Sequence, residues 1–427
     1  MPMKKKRSPK NDSHHPIRKQ IMGTGYFKRI GPGIVTGAAD DDPSGIGTYS
    51  QTGAASGYRL LWAAPILLPF AFAIQETCAR IALVTGEGLV RVIKRRLPSS
   101  VLYLTVFLVA LANTVNIAAD LSSMAAVVRM FVEVPQLVAV FVIALIVALA
   151  EILIPYHQYA RVLRWLCLSL VSYVAVLVVA KINWNEVGTG LRTVSFHWTR
   201  IDIATLIALA GTTISPYLFF WQAAEEVEES GLAPDISRSH LQAMRGDVLA
   251  GMFSGVFVMF AIMTTTAATL HSNAITDITS PEQAALALKP FAGNFASGLF
   301  ALGILGTGLL AVPVLAGSTA YAVSEAMGWK ESLERKPSQA KQFYATIAVS
   351  MLIAIALNFL GINPMRSLVV AALLNGITAP ILMMIIWWLA RDKRLLGEWA
   401  SPWWSNLLVG LGAILMASLP ILWLFAP

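Results

Sequence analysis

Long apolar runs recur along nearly the whole chain and constrain its fold more than any other feature. They lie at about residues 30–55, 60–84, 101–126, 134–154, 163–181, 202–224, 247–270, 293–324, 342–361, 366–390 and 404–425. Runs this long are typical of bilayer-crossing segments, where only helices or closed barrels satisfy the backbone. The two-residue alternation of barrel strands is missing. With 56% hydrophobic and 13% charged residues, the sequence predicts an all-α polytopic membrane protein of eleven transmembrane helices.

The basic residues indicate an orientation rather than a nucleic-acid partner. The net charge of +8 comes from Lys and Arg in short loops between the apolar runs. With the N-terminus inside, 24 of them fall on the cytoplasmic side and seven on the other. The positive-inside rule then predicts a multi-pass protein of the plasma membrane with a cytoplasmic N-terminus and an extracytoplasmic C-terminus. Residues 1–28 are polar, lack a cleavable apolar core and are expected to form a cytoplasmic tail.

Cysteine and histidine residues do not indicate a metal cluster or a bound cofactor. Cys78 and Cys167 lie in or at the edge of apolar runs, a placement that predicts neither a disulfide framework nor a zinc site. His14 and His15 belong to the polar tail and are expected to be solvated. We expect no cofactor, and any metal ion to be a substrate.

Three consecutive acids interrupt the first apolar run. Asp40, Asp41 and Asp42 directly precede Pro43, and Gly45 follows two residues later. Carboxylates at membrane depth are costly and normally face a cavity, a partner or an ion. Pro43 disfavours a helical conformation for the residue before it, and glycine tolerates non-helical geometry. The pattern predicts a broken helix whose free carbonyls and acidic side chains form a cation site.

The sixth apolar run carries a second interruption. Its sequence from Ala210 to Phe220, AGTTISPYLFF, places Pro216 after a run of small hydroxyl residues. Interruptions at corresponding positions of two halves are typical of secondary transporters and indicate a midplane substrate site. The simpler alternative is that each proline only kinks its helix. We predict a first five-helix repeat at 29–181, a second, inverted repeat at 200–390 and an additional eleventh helix at 403–426.

The sequence resembles the NRAMP family of divalent metal transporters. The stretch GPGIVTGAADDDPSGIGTYSQTGAASGYRLLWA resembles the family's first helix and its Asp-Pro-Gly-Asn signature, and QETCARIALVTGEGLVRVIKRRLP resembles the segment that follows. The resemblance implies a LeuT-type fold with two inverted five-helix repeats, each beginning with a broken helix. It also implies that Asp42 is the metal-binding aspartate.

Three departures from the family pattern change the expected ligands. The signature asparagine falls on Gly45, and the methionine and histidine of the sixth helix fall on Ser215 and Tyr217. A thioether favours soft transition metals, so its replacement by a hydroxyl removes that preference. Magnesium prefers oxygen ligands and sheds its waters reluctantly. The resemblance therefore favours the divergent magnesium-transporting branch, with partly hydrated Mg²⁺ as substrate and Mn²⁺ also accepted.

Groups that could relay protons are also replaced. In the third helix the family's Asp and Glu fall on Asp120 and Ser123, and a further histidine of the sixth helix falls on Gln222. Uncoupled uptake is then the simpler mechanism, since a membrane potential of 100 mV contributes about 2.3 kcal/mol per charge. Asp120 is either a relay or cation way-station, or a structural carboxylate hydrogen-bonded to neighbouring helices.

Further polar residues at membrane depth complete the candidate site. Those expected to line the pathway or to orient ion-bound waters are Thr212, Thr213, Gln222, Asn375, Asp40, Asp41 and Glu225. Glu76 and Arg80 are four residues apart, a spacing that predicts an ion pair on one helix face.

Several alternatives remain open at this stage. A proton-coupled NRAMP transporter of Mn²⁺ or Fe²⁺ is the closest, followed by a sodium-coupled carrier of organic solutes on the same fold. An intramembrane aspartyl protease using Asp42 and Asp120 is remote, because neither lies in a Gly-x-Gly-Asp context. A pure channel would not need two broken helices. We expect a monomeric transporter rather than an enzyme, whose partners are the cation and the lipid bilayer.

Overall fold

The computed structural model describes residues 32–154, 170–230, 236–333 and 337–427, and within these ranges every regular element is a helix. This confirms the predicted all-α class. The first part of the chain forms α1 (Pro32–Asp40), α2 (Pro43–Ser56), α3 (Ala63–Thr85), α4 (Leu89–Arg96), α5 (Ser99–Arg129), α6 (Gln136–Leu153), α7 (Val171–Val179) and α8 (Trp184–Arg192).

The second part repeats the opening pattern of two short helices in succession. Its helices are α9 (Arg200–Thr213), α10 (Pro216–Ser230), α11 (Arg238–Thr269), α12 (Pro281–Ala285), α13 (Lys289–Ala292), α14 (Ala296–Met327), α15 (Lys341–Leu357), α16 (Pro364–Ala390), α17 (Lys393–Leu396) and α18 (Trp403–Phe425). Like α1 and α2, α9 and α10 follow one another with only two residues between them.

Eight helical stretches of the described ranges are long and apolar enough to cross a membrane. They include α3, α5, α11, α15, α16 and α18, and α9 with α10 counts as one stretch. The α6 helix is apolar but shorter, and the first predicted run is divided between α1 and α2. Part of the fifth predicted run lies outside the described residues, as does Cys167. The number of eleven spans therefore stays a prediction.

The first helix break has a local cause in the sequence. Asp42 adopts an extended backbone with φ −67° and ψ 171°, and Pro43 opens α2 at its first position. Proline lacks an amide hydrogen that a first-turn residue would leave unpaired in any case. The Asp42 side chain accepts a hydrogen bond from the Gly45 amide and so caps α2.

The second break repeats this arrangement without an acid. Helix α9 ends at Thr213, Ile214 leaves the helical region with φ −121° and ψ 64°, and Pro216 begins α10. Ser215 stands in the place that Asp42 occupies in the first break. Both predicted interruptions are thus confirmed as breaks of the backbone and not only as kinks.

Glycine pairs allow the broken helices to pack closely on their neighbours. A Cβ atom at Gly211 of α9 would overlap the backbone of Ala372 and Gly376 in α16. A Cβ at Gly37 of α1 would likewise overlap the Gly251 backbone of α11. Such close backbone approach through small residues is typical of helix pairs in membranes.

The predicted ion pair between Glu76 and Arg80 is present and belongs to a larger buried network. Arg245 of α11 donates from Nε to Glu76 Oε1 at 2.8 Å, and Arg80 donates to the Trp399 carbonyl at 3.1 Å. Glu76 and Arg80 are almost fully buried. Since buried charges require partners, this network fixes α3 to α11 and to the segment before α18.

Candidate functional site

The two helix breaks meet inside the protein. The hydroxyl oxygens of Ser44, at the start of α2, and Thr212, in the last turn of α9, lie 3.4 Å apart. The Tyr217 hydroxyl of α10 donates to the carbonyl of Ala39, near the end of α1, at 2.8 Å. All four residues are buried. The free helix ends of both halves therefore converge on one place.

Asp42 lies at this junction and is held from two sides. Its Oδ1 accepts from the Gly45 amide and its Oδ2 accepts from Nδ2 of Asn116 in α5, both at 2.7 Å. Only 1% of Asp42 is exposed. The hydroxyl and amide groups of Ser44 also interact with this carboxylate, which has about four acceptor positions. These contacts hold the carboxylate in one orientation at the junction.

Asp120 adds a second carboxylate near Asp42. It lies one helical turn after Asn116 in α5, is fully buried and is close enough to Asp42 for an electrostatic interaction. Neither of its side-chain oxygens makes a hydrogen bond of normal geometry within the described part of the chain. The Ser44 amide interacts with Asp120, and a cation beside the two buried carboxylates would offset the repulsion between their charges.

Asp40 and Asp41 are also buried and interact electrostatically with Asp42. The Oδ2 atom of Asp40 lies against Gly255 of α11, where an added Cβ would be 3.2 Å away. One oxygen of each residue, Oδ1, has no hydrogen-bond partner among the residues that the structure describes. Both aspartates are therefore near the first break without sharing the contacts of Asp42.

The hydroxyl residues of α9 are turned largely toward their own helix. Ser215 donates to the carbonyls of Gly211 and Thr212, each at 2.9 Å, and Thr213 donates to Leu209 at 2.8 Å. Their oxygen lone pairs remain available as acceptors. Thr213 also lies 3.6 Å from the Met259 sulfur of α11, so a thioether is present close to the second break.

Gly45 and Gln222 make different kinds of contact. A Cβ at Gly45 would lie 3.2 Å from the Asp40 carbonyl and 3.4 Å from the Thr212 hydroxyl, which places this glycine between the two breaks. Gln222 accepts from the Thr36 hydroxyl at 2.6 Å, while its Nε2 has no partner in the described ranges. Gln222 thereby joins α10 to the first turns of α1.

The remaining candidate residues are Asn375 and Glu225. Asn375 of α16 is buried, and neither atom of its amide group has a partner within residues 32–154, 170–230, 236–333 and 337–427. Glu225 lies ten residues past Ser215, is partly exposed and interacts electrostatically with Tyr321 of α14.

Sequence reasoning missed Asn116 and Ser44. Asn116 precedes Asp120 by four residues, so the two share one face of an otherwise apolar helix. That spacing was the available signal, but contact with Asp42, 74 residues away, cannot be derived from it. In the described residues no three His, Cys, Asp or Glu side chains form a group that could hold a metal ion. The groups in contact with Asp42 are the Gly45 amide, the Asn116 side-chain amide and Ser44.

A separate cavity of about 620 Å³ lies at the other end of α2. It is lined by residues of α2, α8, α11 and their connections, among them Ser56, Arg59, Lys181, Glu186 and His271. Since α2 has 14 residues and rises about 1.5 Å per residue, this cavity is roughly 20 Å from Asp42. It is not part of the junction between the breaks.

Comparisons with known proteins agree with this architecture. The family model described as natural resistance-associated macrophage protein-like matches residues 33–426. The "Divalent metal cation transporter MntH" of Acidiphilium cryptum is 24% identical over 404 residues, which cover 92% of this chain and 89% of that protein.

Two solved structures share the fold. The manganese transporter of Eremococcus coleocola matches with a TM-score of 0.74 at 16% identity, over 93% of this chain and 87% of its own. Mhp1, a nucleobase-cation-symport-1 family transporter in a closed conformation, matches with a TM-score of 0.50 at 12% identity, over 93% and 94%. These matches and the two broken helices confirm the predicted LeuT-type fold.

Proposed function

Because the chain belongs to the natural resistance-associated macrophage protein-like (Nramp) family, we propose that it is a secondary transporter that imports divalent metal ions, with partly hydrated Mg²⁺ preferred and Mn²⁺ accepted. The observation that carries the proposal is the buried Asp42 carboxylate at the junction of the two helix breaks. Membership of this family argues against an intramembrane protease and against a carrier of organic solutes, because the relative named above is a divalent metal cation transporter.

The chemistry around Asp42 supports a preference for a hard cation. The Gly45 amide and the Asn116 side-chain amide donate to Asp42, and the hydroxyl groups of Ser44 and Thr212 lie at the same junction. Magnesium takes oxygen ligands and is usually bound through one or two carboxylates while it keeps several waters. Asp42 and the nearby Asp120 can supply these carboxylates. The residues proposed to bind the ion or its waters are Asp42, Gly45, Ser215, Thr212, Thr213, Tyr217 and Gln222.

The proposed mechanism is alternating access driven by the membrane potential. Asp42 holds the ion while the helix pairs around the two breaks rearrange, and Asp40, Asp41, Asp120, Glu225 and Asn375 line the route. A dication gains about 4.6 kcal/mol per 100 mV of membrane potential, which is ample without a proton gradient. Ser123 donates to the Asp120 carbonyl at 2.8 Å and supplies no titratable group there.

The experiment is magnesium uptake into proteoliposomes with the two driving forces varied separately. We expect uptake to increase with an inside-negative potential set by potassium and valinomycin, and to stay unchanged when a pH gradient is imposed at constant potential. Uptake that requires the pH gradient would contradict the uncoupled mechanism. Absence of magnesium uptake alongside uptake of manganese would contradict the ion preference.

One observation favours a second candidate, a proton-coupled carrier of transition metals such as Mn²⁺ or Fe²⁺. The Met259 thioether lies 3.6 Å from the Thr213 hydroxyl, and sulfur ligands favour softer metals. Competition separates the two candidates. If the first is right, millimolar Mg²⁺ should suppress Mn²⁺ uptake, whereas the second predicts uptake that resists magnesium and depends on pH.

A further inference from the structure

We propose that Asn116 of α5 is a specificity residue of the ion site, whose Nδ2 orients Asp42 and whose Oδ1 accepts a hydrogen bond from a water bound to the divalent cation. This inference rests on the proposed function, because it assumes that Asp42 is the anionic ligand. The ion site would then include a side-chain amide from α5, a helix without a break.

The contacts of Asn116 support this assignment. The side chain is fully buried, and Nδ2 donates to Asp42 Oδ2 at 2.7 Å. That bond fixes the plane of the amide, so the position of Oδ1 is set as well. No donor reaches Oδ1 in the part of the chain that the structure describes. A buried amide oxygen without a donor is unfavourable, and a metal-bound water, which is a strong donor, would satisfy it.

The neighbours of Asn116 make a hydrated cation the fitting occupant. Asp42 lies on one side of it and Asp120 follows one turn later on the same helix. Gly45 contributes no side chain, so the only side-chain amide bonded to Asp42 comes, among the described residues, from α5. A neutral amide lets Asp42 and Asp120 supply the negative charge while its oxygen contacts the water shell of the ion.

A comparison within α5 separates this role from a packing role. Asn113 lies nearly one turn before Asn116 and is buried to the same extent. The Oδ1 atoms of both residues lack a donor among the described residues, so the two differ in what Nδ2 binds. The Nδ2 of Asn113 donates to the Leu315 carbonyl at 3.1 Å and to the Thr319 hydroxyl at 3.0 Å, both in α14. Asn113 therefore fixes two helices together, whereas Asn116 contacts the candidate ligand. This makes Asn113 the matched control.

The test measures Mg²⁺ and Mn²⁺ binding to the purified full-length protein by calorimetry, and uptake in proteoliposomes. Asn116→Leu keeps the size and removes both polar atoms, and Asn116→Asp replaces the amide by a third carboxylate. Changes in groups that orient metal ligands typically cost 10- to 100-fold in affinity. We expect Asn116→Leu to weaken Mg²⁺ binding by about tenfold or more, and more than Mn²⁺ binding because Mg²⁺ keeps its waters more strongly.

Asn116→Asp should tighten the binding of both ions and slow their release, so that uptake falls although affinity rises. Asn113→Ser should leave the ratio of Mg²⁺ to Mn²⁺ affinity unchanged even if it lowers stability.

Should Asn116→Leu fail to fold, Asn116→Asp and Asn116→Ser provide the same comparison. Folded Asn116 variants with wild-type affinities and wild-type Mg²⁺ to Mn²⁺ ratios would overturn the role of Asn116 and leave the proposed function standing. A wild-type protein that neither binds nor transports divalent ions would overturn the proposed function as well.

Discussion

At the scale of single residues, Asp42 combines a structural and a chemical role in one carboxylate. It caps α2 through the Gly45 amide and carries a negative charge at the junction of the breaks. Asparagine is as good a helix cap as aspartate but carries no charge, whereas alanine lacks both properties. The two roles are therefore separable by mutation.

We predict that Asp42→Asn and Asp42→Ala both abolish metal uptake, because both remove the anionic ligand. Only Asp42→Ala also loses the cap, so it should be about 1 kcal/mol less stable than Asp42→Asn. Uptake in proteoliposomes and unfolding in detergent measure the two effects. Uptake retained by Asp42→Asn would show that the charge at this position is not required.

The double change Gly45→Asn with Ser215→Met should shift the preference from magnesium toward manganese. It adds an amide and a thioether beside Asp42, and we expect the Mn²⁺ to Mg²⁺ uptake ratio to rise about tenfold, equivalent to ~1.4 kcal/mol. The new Cβ at position 45 would lie 3.2 Å from the Asp40 carbonyl, so the backbone there must move by a few tenths of an ångström. The single variants serve as controls, and an unchanged ratio would place the determinants elsewhere.

The sequence predicted the local features of the site and missed its long-range contacts. Asp42, Pro43 and Pro216 act on their own backbone, so their effect follows from residue type. The bond between Asn116 and Asp42 joins two helices, and the spacing along the chain does not specify it. For the same reason, the sequence did not show that Ser215 donates to the α9 carbonyls.

At the scale of helices, the two short broken pairs depend on close packing with longer neighbours. With 9 and 14 residues, α1 and α2 are each too short to cross a bilayer alone. Gly37 and Gly211 bring α1 against α11 and α9 against α16. These pairings position both breaks in the protein interior.

Gly211→Ala should therefore destabilise the protein. Its Cβ would overlap the backbone of Ala372 and Gly376, and overpacking of this kind costs about 1–3 kcal/mol. The matched control is Gly298→Ala in α14, where an added Cβ meets nothing within 4 Å and helix propensity favours alanine by about 0.5–1 kcal/mol. Thermal unfolding measures both, and equal melting temperatures would contradict the packing argument.

The sequence predicted the helices that are long and apolar enough to span a membrane, and it missed short helices that lack this signal. The edges of α5 and α16 are close to the predicted runs because lipid requires a continuous apolar segment, whereas α11 begins at Arg238, before the start of its predicted run at residue 247. The α4 and α8 helices were not predicted. Each has fewer than ten residues and is held by tertiary contacts such as the buried Leu89 and Ile93 of α4.

At the scale of the whole molecule, the orientation in the membrane is an expectation from the loop charges. It places the connection between α8 and α9 outside the cell and the connection between α17 and α18 inside. Thr193 and Glu398 are exposed on these two connections, and Cys78 is buried. Labelling from one side of the membrane can therefore test the orientation.

In a background with Cys167→Ser, Thr193→Cys should react with a membrane-impermeant maleimide in intact cells. Glu398→Cys should react only after permeabilisation, since it faces the opposite side. The two positions serve as controls for each other. Labelling in the reverse pattern would invert the orientation, and labelling of both from one side would change the number of spans between them.

The hydrogen bond from Tyr217 to the Ala39 carbonyl has a consequence for movement. It links the two interrupted membrane helices although its partners are 178 residues apart in the chain. Any rearrangement that draws one kink away from the other must first undo this link, at a net cost of about 0.5–1.5 kcal/mol. This contact therefore favours, by no more than that amount, the arrangements in which the two breaks stay together.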